Sequence, residues 1–462
     1  MTNDWTALSA LSPLDGRYSS ETTELKEFFS ESALIKHRLF IEVLYLIELM
    51  EFLDQEKISQ TTKNKLIKWA KNPTPKDLAR VKRIEAKISH DVKAIEYFIR
   101  SHFKKIKLTK LSFWIHWGLT STDIDNLAYG LMIQKAKDKI LIPSQLQLIK
   151  LLLQIAKKYS SLVMPGRTHG QIAVPTTLGK ELIVFASRAS FFLEKIKDFK
   201  LGGKLNGAVG NFNGHQQIFP HKNWCSFSKK FVEKLGLEST IISTQIEPGS
   251  RLVYFLDNLR QLNNVWLNLS QDCWRYISDN YFIQRIVQKE VGSSTMPHKV
   301  NPINFENAEA NLQLANNLLM FFSNKLSLSR LQRDLSDKTA KRSLGTAFAY
   351  SLLASKSLIK GLNKIQPKKR FLDKELKDHP EMLLEALQLI LKVWKKEKAY
   401  EEIKQKTRGK KISWKKLIEQ LNISKKKKGF LKKWQTKDYA GLASKLTIME
   451  IKKINKTLQI PR

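Results

Sequence analysis

The stretch at residues 252–277, LVYFLDNLRQLNNVWLNLSQDCWRYI, carries the pattern that recurs along most of this chain. Its apolar residues return every three or four positions, which is the spacing of one buried face on an amphipathic helix. Residues 34–53 and 140–159 repeat the pattern, whereas alternating apolar and polar residues between turn signals are rare. The sequence therefore predicts an all-α fold with a central bundle of long helices.

The length of the chain and its few turn residues suggest how the helices are divided. A chain of 462 residues exceeds one ordinary core, so about two to four packing units are expected. Thr109-Lys110 and Gln366-Pro367 separate long helical patterns. We therefore expect an N-terminal helical domain at residues 1–110, a central long-helix bundle domain at 111–365 and a C-terminal helical domain at 366–462.

The N-terminal residues and the cysteines bear on the cellular compartment. The sequence MTNDW lacks a basic stretch followed by an apolar run, and polar residues interrupt the long apolar segments before spanning length. Cys225 and Cys273 are the only cysteines, and neither belongs to a Cys-x-x-Cys pair. A disulfide framework and a thiolate zinc site both lose support. We expect a soluble cytoplasmic protein with no membrane contact.

The formal net charge of +37 admits two interpretations. Alone, it would suggest nucleic acid, an acidic membrane or an anionic substrate as partner. However, lysines are spread along the whole chain, densest at residues 425–433, and no aromatic interleaving or nucleic-acid module accompanies them. Solvated lysines on helix faces explain the charge better, so nucleic acid is an unlikely partner.

The turn residues gather in a few loops, where catalytic groups usually reside. These loops are SPLDGRY at 12–18, TSTD at 120–123, GRTHGQ at 166–171, NGAVGN at 206–211 and GSSTMPHKVNP at 292–302. The last combines hydroxyls, the cation of Lys299, the amide of Asn301 and two prolines. Its free backbone amides can point at an anion, since Gly292 permits open geometry. A helix-capping turn would explain only its Ser and Pro residues.

The 292–302 loop resembles the signature loop of the fumarase/aspartase superfamily, whose members form fumarate by anti elimination. Within it, the chain from Ser12 to about residue 450 is similar to the adenylosuccinate lyase family of the longer bacterial type. The further resembling stretches are HDVKAIEYF at 90–98, QIEP at 245–248 and SRLQRDL at 329–335, with the loops above. The resemblance implies a three-domain fumarase/aspartase-type fold and a homotetramer whose active sites are each built from three subunits.

The resemblance also implies the catalytic roles. Ser293 corresponds to the general base, and His169 to the general acid that protonates the departing nitrogen. His90 corresponds to a second active-site histidine that supports this proton transfer, and Glu306 to an acidic residue that supports the pair. The alternatives are a helix-terminal residue for His90 and a surface glutamate for Glu306. Lys299 and Asn301 correspond to groups that stabilise charge developing on the substrate carboxylate.

The remaining candidates are substrate ligands. Guanidinium and hydroxyl groups suit a phosphate, and those at matching positions are Arg17, Tyr18, Arg333 and Arg342. The further substrate-binding candidates are Ser89, Asp91, Thr120, Ser121, Thr168, Gln245, Met296 and Lys338. No metal or organic cofactor is implied, because proton transfer and charge stabilisation can supply the whole mechanism. A nucleotide is thus the expected substrate.

Three places depart from the family pattern. Ile88 stands where the family usually has Thr, and Gly249-Ser250 stand where it often has a basic residue and Asp. Lys338 replaces a Ser that helps bind phosphate, and Lys341 is also unusual. A lysine can replace the hydroxyl electrostatically, but its hydrogen-bond geometry is less fixed.

The function implied is elimination of fumarate from adenylosuccinate, giving AMP, and from succinylaminoimidazole carboxamide ribotide, giving AICAR. One alternative is another fumarate-releasing lyase of the superfamily. A second is a catalytically idle, basic relative that binds nucleic acid. Retention of His169, Ser293 and Lys299 argues against an idle relative.

Overall fold

The computed structural model describes residues 5–285, 295–296, 298–395 and 397–460, most of which are helical. The helices before residue 140 are α1 (Trp5–Leu8), α2 (Ser19–Thr22), α3 (Lys26–Phe29), α4 (Glu31–Leu53), α5 (Gln60–Lys71), α6 (Pro75–Ile88), α7 (Asp91–Lys105) and α8 (Ser121–Ala136). Those that follow are α9 (Ile142–Lys158), α10 (Leu178–Lys197), α11 (Asn213–Ile218), α12 (Trp224–Lys234), α13 (Ser250–Ser278), α14 (Ile303–Leu326), α15 (Ser336–Lys341) and α16 (Leu344–Lys364). The C-terminal helices are α17 (Lys369–Asp378), α18 (Leu384–Val393), α19 (Ala399–Thr407), α20 (Trp414–Glu419), α21 (Lys425–Lys432) and α22 (Ala443–Thr457).

Strands are short and form two-stranded sheets in the described residues. β1 (Val163–Thr168) and β2 (Gln171–Thr177) are antiparallel, β3 (Gly202–Gly203) and β4 (Glu238–Ser239) are parallel, and β5 (Phe282–Gln284) and β6 (Ile365–Pro367) are antiparallel. The 166–171 stretch, expected to be an open loop, is thus mostly a β-hairpin. Short 3₁₀-helices occur at Thr23–Leu25, Lys110–Trp114, Pro380–Leu383 and Thr436–Asp438. A π-helical turn occurs at Lys137–Leu141.

The predicted all-α class is confirmed, and the three quoted windows lie in helices, apart from Tyr159, which follows α9. Residues 252–277 fall within the 29 residues of α13. Phe255, Leu259, Leu262, Trp266 and Leu269 are fully or almost fully buried along it, at the three- and four-residue spacing read from the sequence. Burying one such side chain stabilises the fold by about 1.5–3 kcal/mol. The buried face of α13 therefore contributes much of the stability of the folded chain.

The described chain divides into two compact units. The first comprises residues 1–145, 195–264 and 310–355, and the second residues 146–194, 265–309 and 356–462. Each unit has its own buried apolar side chains, and in the second a cluster that includes Leu387, Leu391, Trp414 and Ile418 packs α18–α21 together. The division into three domains at residues 110 and 365 stays a prediction.

In the described part of the chain, one helical run, Ser121–Lys158, is long and apolar enough to cross a membrane by length and composition. Its most apolar window of 18 residues has a mean hydropathy of 1.2. Ile124, Leu127 and Ala128 are fully buried in this run. A core helix of a water-soluble protein has the same properties, so the run is no argument for a membrane.

Candidate active site

His90 caps helix α7 with its own side chain. Its Nδ1 accepts a hydrogen bond from the backbone N–H of Lys93 at 3.1 Å. A neutral imidazole that accepts at Nδ1 carries its proton on Nε2, and the side chain is exposed. Ser89 precedes it at φ 54°, ending α6 in the left-handed conformation. The capping role and the functional role of His90 are therefore compatible, because Nε2–H remains able to donate to a ligand.

Asp91, the residue after His90, belongs to a ring of four charged side chains, the others being Arg38, Asp125 and Lys338. Arg38 Nη2 binds Asp91 Oδ2 at 2.9 Å, and Arg38 Nε donates to Asp125 Oδ1 at 2.7 Å. Lys338 Nζ lies 2.6 Å from Asp91 Oδ1 and 3.3 Å from Asp125 Oδ2. Each carboxylate therefore meets one cation on each of its two oxygens. Arg342 adds a third cation, with Nη2 at 3.1 Å from Asp91 Oδ2.

This arrangement sets the charge state of Asp91. Burial alone would raise the pKa of its carboxyl group, but the neighbouring Arg38 and Lys338 outweigh burial and hold the pKa well below its usual range. Asp91 is therefore a carboxylate at neutral pH. The ring contains the predicted ligands Asp91 and Lys338, and the predicted ligand Arg342 contacts it through Asp91. Its other two members, Arg38 and Asp125, were missed. A lone arginine in the apolar window at 34–53 was the available signal.

The buried carboxylate of Asp123 organises the loops around Thr120. It accepts hydrogen bonds from the backbone N–H groups of Thr120 at 2.9 Å, Asn206 at 3.1 Å and Gly207 at 3.2 Å. Lys204 Nζ lies 2.8 Å from its Oδ1, and both side chains are fully buried. Thr120 and Ser121, which begins α8, are thereby tied to the 206–211 loop. Sequence reasoning quoted Asp123 but did not assign it this role.

Gln245 and Arg333, both predicted substrate ligands, contact each other. Arg333 Nη1 donates to Gln245 Oε1 at 3.2 Å, and Gln245 Nε2 donates to the carbonyl of Ala208 at 3.0 Å. The backbone N–H of Gln245 also donates to the carbonyl of Gln332. The 206–211 loop, the 245–248 stretch and the 329–335 stretch are thus joined within the first unit.

The predicted phosphate ligands Arg17 and Tyr18 lie in the turns that follow α1. The guanidinium of Arg17 lies 6.0 Å from the centre of the Tyr18 ring. The backbone N–H of Tyr18 donates to the carbonyl of Pro13 at 2.8 Å, which closes the loop. Arg17 is exposed and can reach an anionic ligand.

In the second unit, His169 stands at the tip of the β1–β2 hairpin. Thr168 pairs with Gln171, so His169 and Gly170 form a two-residue turn. Their φ angles are 53° and 74°, as the mirror-image turns of tight hairpins require. The His169 side chain and Thr168 are exposed. The backbone conformation therefore presents this imidazole outward.

Arg167 braces the hairpin and was missed by sequence reasoning. Its Nη1 donates to the carbonyl of Gly170 at 3.2 Å, and its Nε donates to Tyr281 Oη at 3.3 Å. Glu375 lies 3.8 Å from its Nη2. Arg167 thereby ties the turn that carries His169 to Tyr281, the residue before β5, and to α17.

The described part of the signature loop contains Met296, Lys299 and Asn301. The backbone N–H of Lys299 donates to the carbonyl of Met296 at 3.0 Å, and both side chains are exposed. Glu306 lies in the first turn of α14, where Trp274 Nε1 donates to its Oε1 at 3.1 Å. Ser293, the predicted base, lies outside the described residues.

The structure gives a physical reason for one departure from the family pattern. Gly249 has φ 81°, and a Cβ atom at this position would collide with the carbonyl oxygen of Leu326. Only glycine fits such a position without a backbone shift. Ser250 begins α13 and Ile88 ends α6, and nothing in the structure explains these two residue choices.

No group of three or more His, Cys, Asp or Glu residues within the described residues could hold a metal ion. The side chains described here can instead donate protons, accept them and bind anions. The exposed imidazoles of His90 and His169 can each transfer a proton, and the guanidinium groups of Arg17, Arg333 and Arg342 can bind anions.

Two family models match the chain in succession. Residues 16–315 match the lyase family, and residues 329–440 match the family described as adenylosuccinate lyase C-terminal. Among solved structures, the 3-carboxy-cis,cis-muconate lactonizing enzyme from Pseudomonas putida superposes with a TM-score of 0.75 at 16% identity, over 96% of this chain and 99% of that one. The fumarate lyase from Mesorhizobium sp. BNC1 superposes with a TM-score of 0.74 at 16% identity, over 93% and 97%. The chain is a lyase with the fold of the fumarase/aspartase superfamily.

Curated relatives narrow the family further. The adenylosuccinate lyase of Legionella pneumophila strain Corby is 40% identical over 448 residues, which cover 96% of this chain and 98% of the relative. The adenylosuccinate lyase of Buchnera aphidicola subsp. Schizaphis graminum is 40% identical, over 96% of this chain and 99% of the relative. That of Escherichia coli K12 is 38% identical, over 95% of this chain and 97% of the relative. The chain belongs to the adenylosuccinate lyase family.

Proposed function

We propose that this enzyme cleaves adenylosuccinate to AMP and fumarate, and succinylaminoimidazole carboxamide ribotide to AICAR and fumarate. The observation that carries the proposal is the identity of 40% over 96% of this chain and 98% of a relative named adenylosuccinate lyase. The side chains expected for elimination and for phosphate binding are all present in the sequence, with Lys338 in place of a family Ser.

The reaction is an elimination in which one base and one acid act at opposite ends. Ser293 takes a proton from the succinyl carbon next to a carboxylate. The electron pair of that C–H bond forms the C=C bond of fumarate, and the C–N bond breaks. His169 gives a proton to the departing nitrogen, with His90 and Glu306 supporting this transfer. Lys299 and Asn301 stabilise the negative charge that develops on the carboxylate, since fixed donors gain most in the transition state.

The substrate phosphate requires cations and hydroxyls. Arg17, Tyr18, Arg333 and Arg342 supply them, all from the first unit. Thr120, Ser121, Thr168 and Gln245 bind the succinyl group, and Ser89, Asp91 and Met296 complete the substrate contacts. The bracing of Gln245 by Arg333 supports this assignment, because a pre-ordered donor loses less entropy when substrate binds.

We further propose a homotetramer in which each active site draws residues from three chains. Exposed apolar side chains on the long helices support self-association. In the first unit these are Leu314, Met320 and Phe321 on α14, each about half exposed. In the second, Phe191 on α10 and Trp274 on α13 are exposed to a similar degree. Apolar surface of this kind marks protein contacts when it is contiguous.

Complementation tests the shared site. A His169→Ala chain and a Ser293→Ala chain, each inactive alone, should regain part of the activity when mixed, because some sites then combine intact residues from different chains. Light scattering of the active enzyme measures its molar mass and so the number of chains in the assembly. An active monomer would contradict the shared-site proposal and leave the proposed reaction standing.

Fumarate absorbance tests the reaction itself. Purified enzyme at moderate salt is offered adenylosuccinate, the succinylated imidazole ribotide, argininosuccinate, malate and aspartate. Turnover of the first two alone is expected. If the enzyme instead turned over argininosuccinate, malate or aspartate and neither succinylated nucleotide, it would be a different lyase of the superfamily.

We place the enzyme in the cytoplasm, where reduced thiols such as the free Cys225 and Cys273 persist. The second candidate function, a basic nucleic-acid-binding relative, rests on the net charge of +37. Tight, sequence-selective DNA binding at physiological salt would support this candidate. Weak binding that falls steeply with salt is expected instead, because counterion release dominates unspecific contacts.

A further inference from the structure

Lys338 occupies the place of a family serine, and its ammonium group is already engaged. It lies 2.6 Å from Asp91 Oδ1 and 3.3 Å from Asp125 Oδ2. Its side chain is only 17% exposed. The ammonium therefore lies between two buried carboxylates and is not a free cation facing solvent.

Charge balance explains why this lysine is needed. Asp91 and Asp125 are both buried and share the single buried cation Arg38. With Lys338 the ring holds two negative and two positive charges. Without it, Asp125 would keep only the Arg38 guanidinium that it shares with Asp91, because the half-exposed Arg342 pairs with Asp91 and with Glu31. Like charges at close range repel strongly in a low-dielectric interior, so the Asp91 and Asp125 carboxylates would be pushed apart.

The ring acts directly on the start of α7. Asp91 is the first residue of this helix, and its Oδ1 accepts a hydrogen bond from the backbone N–H of Val92 at 2.9 Å. The adjacent His90 caps the same helix through Nδ1. A displacement of the Asp91 carboxylate therefore moves the backbone that aims His90 Nε2.

We propose that Lys338 is a positioning residue that balances Asp125 and holds Asp91, and thereby fixes the direction of His90 in the lyase site. This inference rests on the proposed function. The proposed positioning role differs from direct phosphate binding, which is the role of the family serine that Lys338 replaces. The two roles differ in kinetics, because misplacing a proton-transfer group lowers kcat whereas losing a ground-state ligand raises KM.

Four variants test the proposal by steady-state kinetics with adenylosuccinate. Lys338→Ser should lower kcat by about 10- to 100-fold, the cost of a misplacement near 1 Å, with KM within about threefold of wild type. Lys338→Arg should keep most of the activity. The matched control is Lys341→Ser, which removes a lysine from the same helix that pairs with Asp337. It should leave kcat within about twofold, because this pair contacts no member of the ring. Its melting temperature is measured as well, because Asp337 is buried and loses a cation.

The decisive variant is Lys338→Ser combined with Asp125→Asn, which restores charge balance in the ring. We expect kcat to recover to within about threefold of wild type, since the repulsion between carboxylates is removed. Melting temperatures check folding, and if Lys338→Ser alone does not fold, the double variant must fold and turn over. An increase in KM with unchanged kcat, or no recovery in the double variant, overturns the proposal. A wild-type enzyme without turnover would instead overturn the proposed function.

Discussion

The regions around His90 and His169 position their imidazoles by opposite means. His90 sits on a helix whose first residue is locked by the buried ring of Arg38, Asp91, Asp125 and Lys338. His169 sits on an exposed turn whose two residues have positive φ angles, braced by Arg167. The first histidine therefore stands beside buried charges, and the second stands on a turn with positive φ angles.

This difference has consequences for mutational sensitivity. Near His90, changes of charge are expected to cost most, because desolvated ions left unpaired are expensive. Near His169, changes of backbone preference are expected to cost most, because exposed ion pairs contribute little. The following predictions test the contrast, from the largest expected effect to the smallest.

The largest effect concerns the chemical roles. Ser293→Ala and His169→Ala should each lower turnover by roughly two to four powers of ten, the usual value of one proton-transfer group, while substrate still binds. A substrate analogue with a better leaving group should restore rate to His169→Ala, because less protonation is needed at departure. Pre-steady-state kinetics with both substrates provides the measurement.

The same experiment can reverse the assignment. Ser293→Ala should gain little from the better leaving group, because its missing step is proton removal from carbon. Rescue of Ser293→Ala and not of His169→Ala would mean that acid and base are exchanged.

The second prediction compares a buried ion pair of the unit that contains His90 with the exposed hairpin that carries His169. Asp123→Ala leaves the fully buried Lys204 without its carboxylate, so the free energy of unfolding should fall by about 3–5 kcal/mol. Arg167→Ala on the hairpin should cost no more than about 1 kcal/mol, because its contacts are partly exposed. Denaturant unfolding measures both. Equal losses would contradict the contrast.

The long helices and the two candidate histidines could be predicted from the sequence. The buried charges near His90 and the turn geometry under His169 could not. Apolar spacing identified the long helices, because a 26-residue window such as 252–277 admits few other structures. The motif stretches indicated His90 and His169 as candidates. The hairpin was missed because Arg-Thr-His-Gly-Gln shows no strand alternation, and its turn depends on positive φ at His169 and Gly170.

The charged ring was harder to foresee. Arg38, Asp91, Asp125 and Lys338 are up to 300 residues apart in sequence, and only the packing of α4, α7, α8 and α15 joins them. A resemblance carries over residues that match a family pattern, whereas Lys338 departs from it. Only the structure therefore shows that Lys338 pairs with Asp91 and Asp125.

The third prediction uses acid to probe the unit that contains His90. Burial lowers the pKa of His215, whose ring packs against Trp117 and Trp224, to about 4. In the unfolded chain this group binds a proton near pH 6.5, so the folded state is penalised as pH falls from 6.5 towards 4. The loss should reach about 3 kcal/mol at pH 4.

His215→Phe should remove this part of the pH dependence. Unfolding at pH 8 gives the cost of lost packing and of the lost hydrogen bond to Tyr45, because the histidine is neutral in both states there. The stability difference between wild type and variant should then shift in favour of the variant on acidification. An unchanged difference between pH 8 and pH 5 would show that His215 takes up no proton on unfolding.

The smallest effect concerns the turn under His169. A Cβ atom at Gly170 would meet nothing within 4 Å, so Gly170→Ala costs only backbone strain at φ 74°, about 1 kcal/mol. Because that strain falls on the residue next to His169, the proposed acid, kcat should drop by roughly threefold to tenfold through misdirection of the imidazole. Gly170→Asn should retain activity, since Asn tolerates the left-handed conformation. Gly429→Ala in α21, where a Cβ also meets nothing, is the matched control and should lose neither stability nor rate. If Gly170→Ala and Gly170→Asn behave alike, the conformation of the turn does not aim His169.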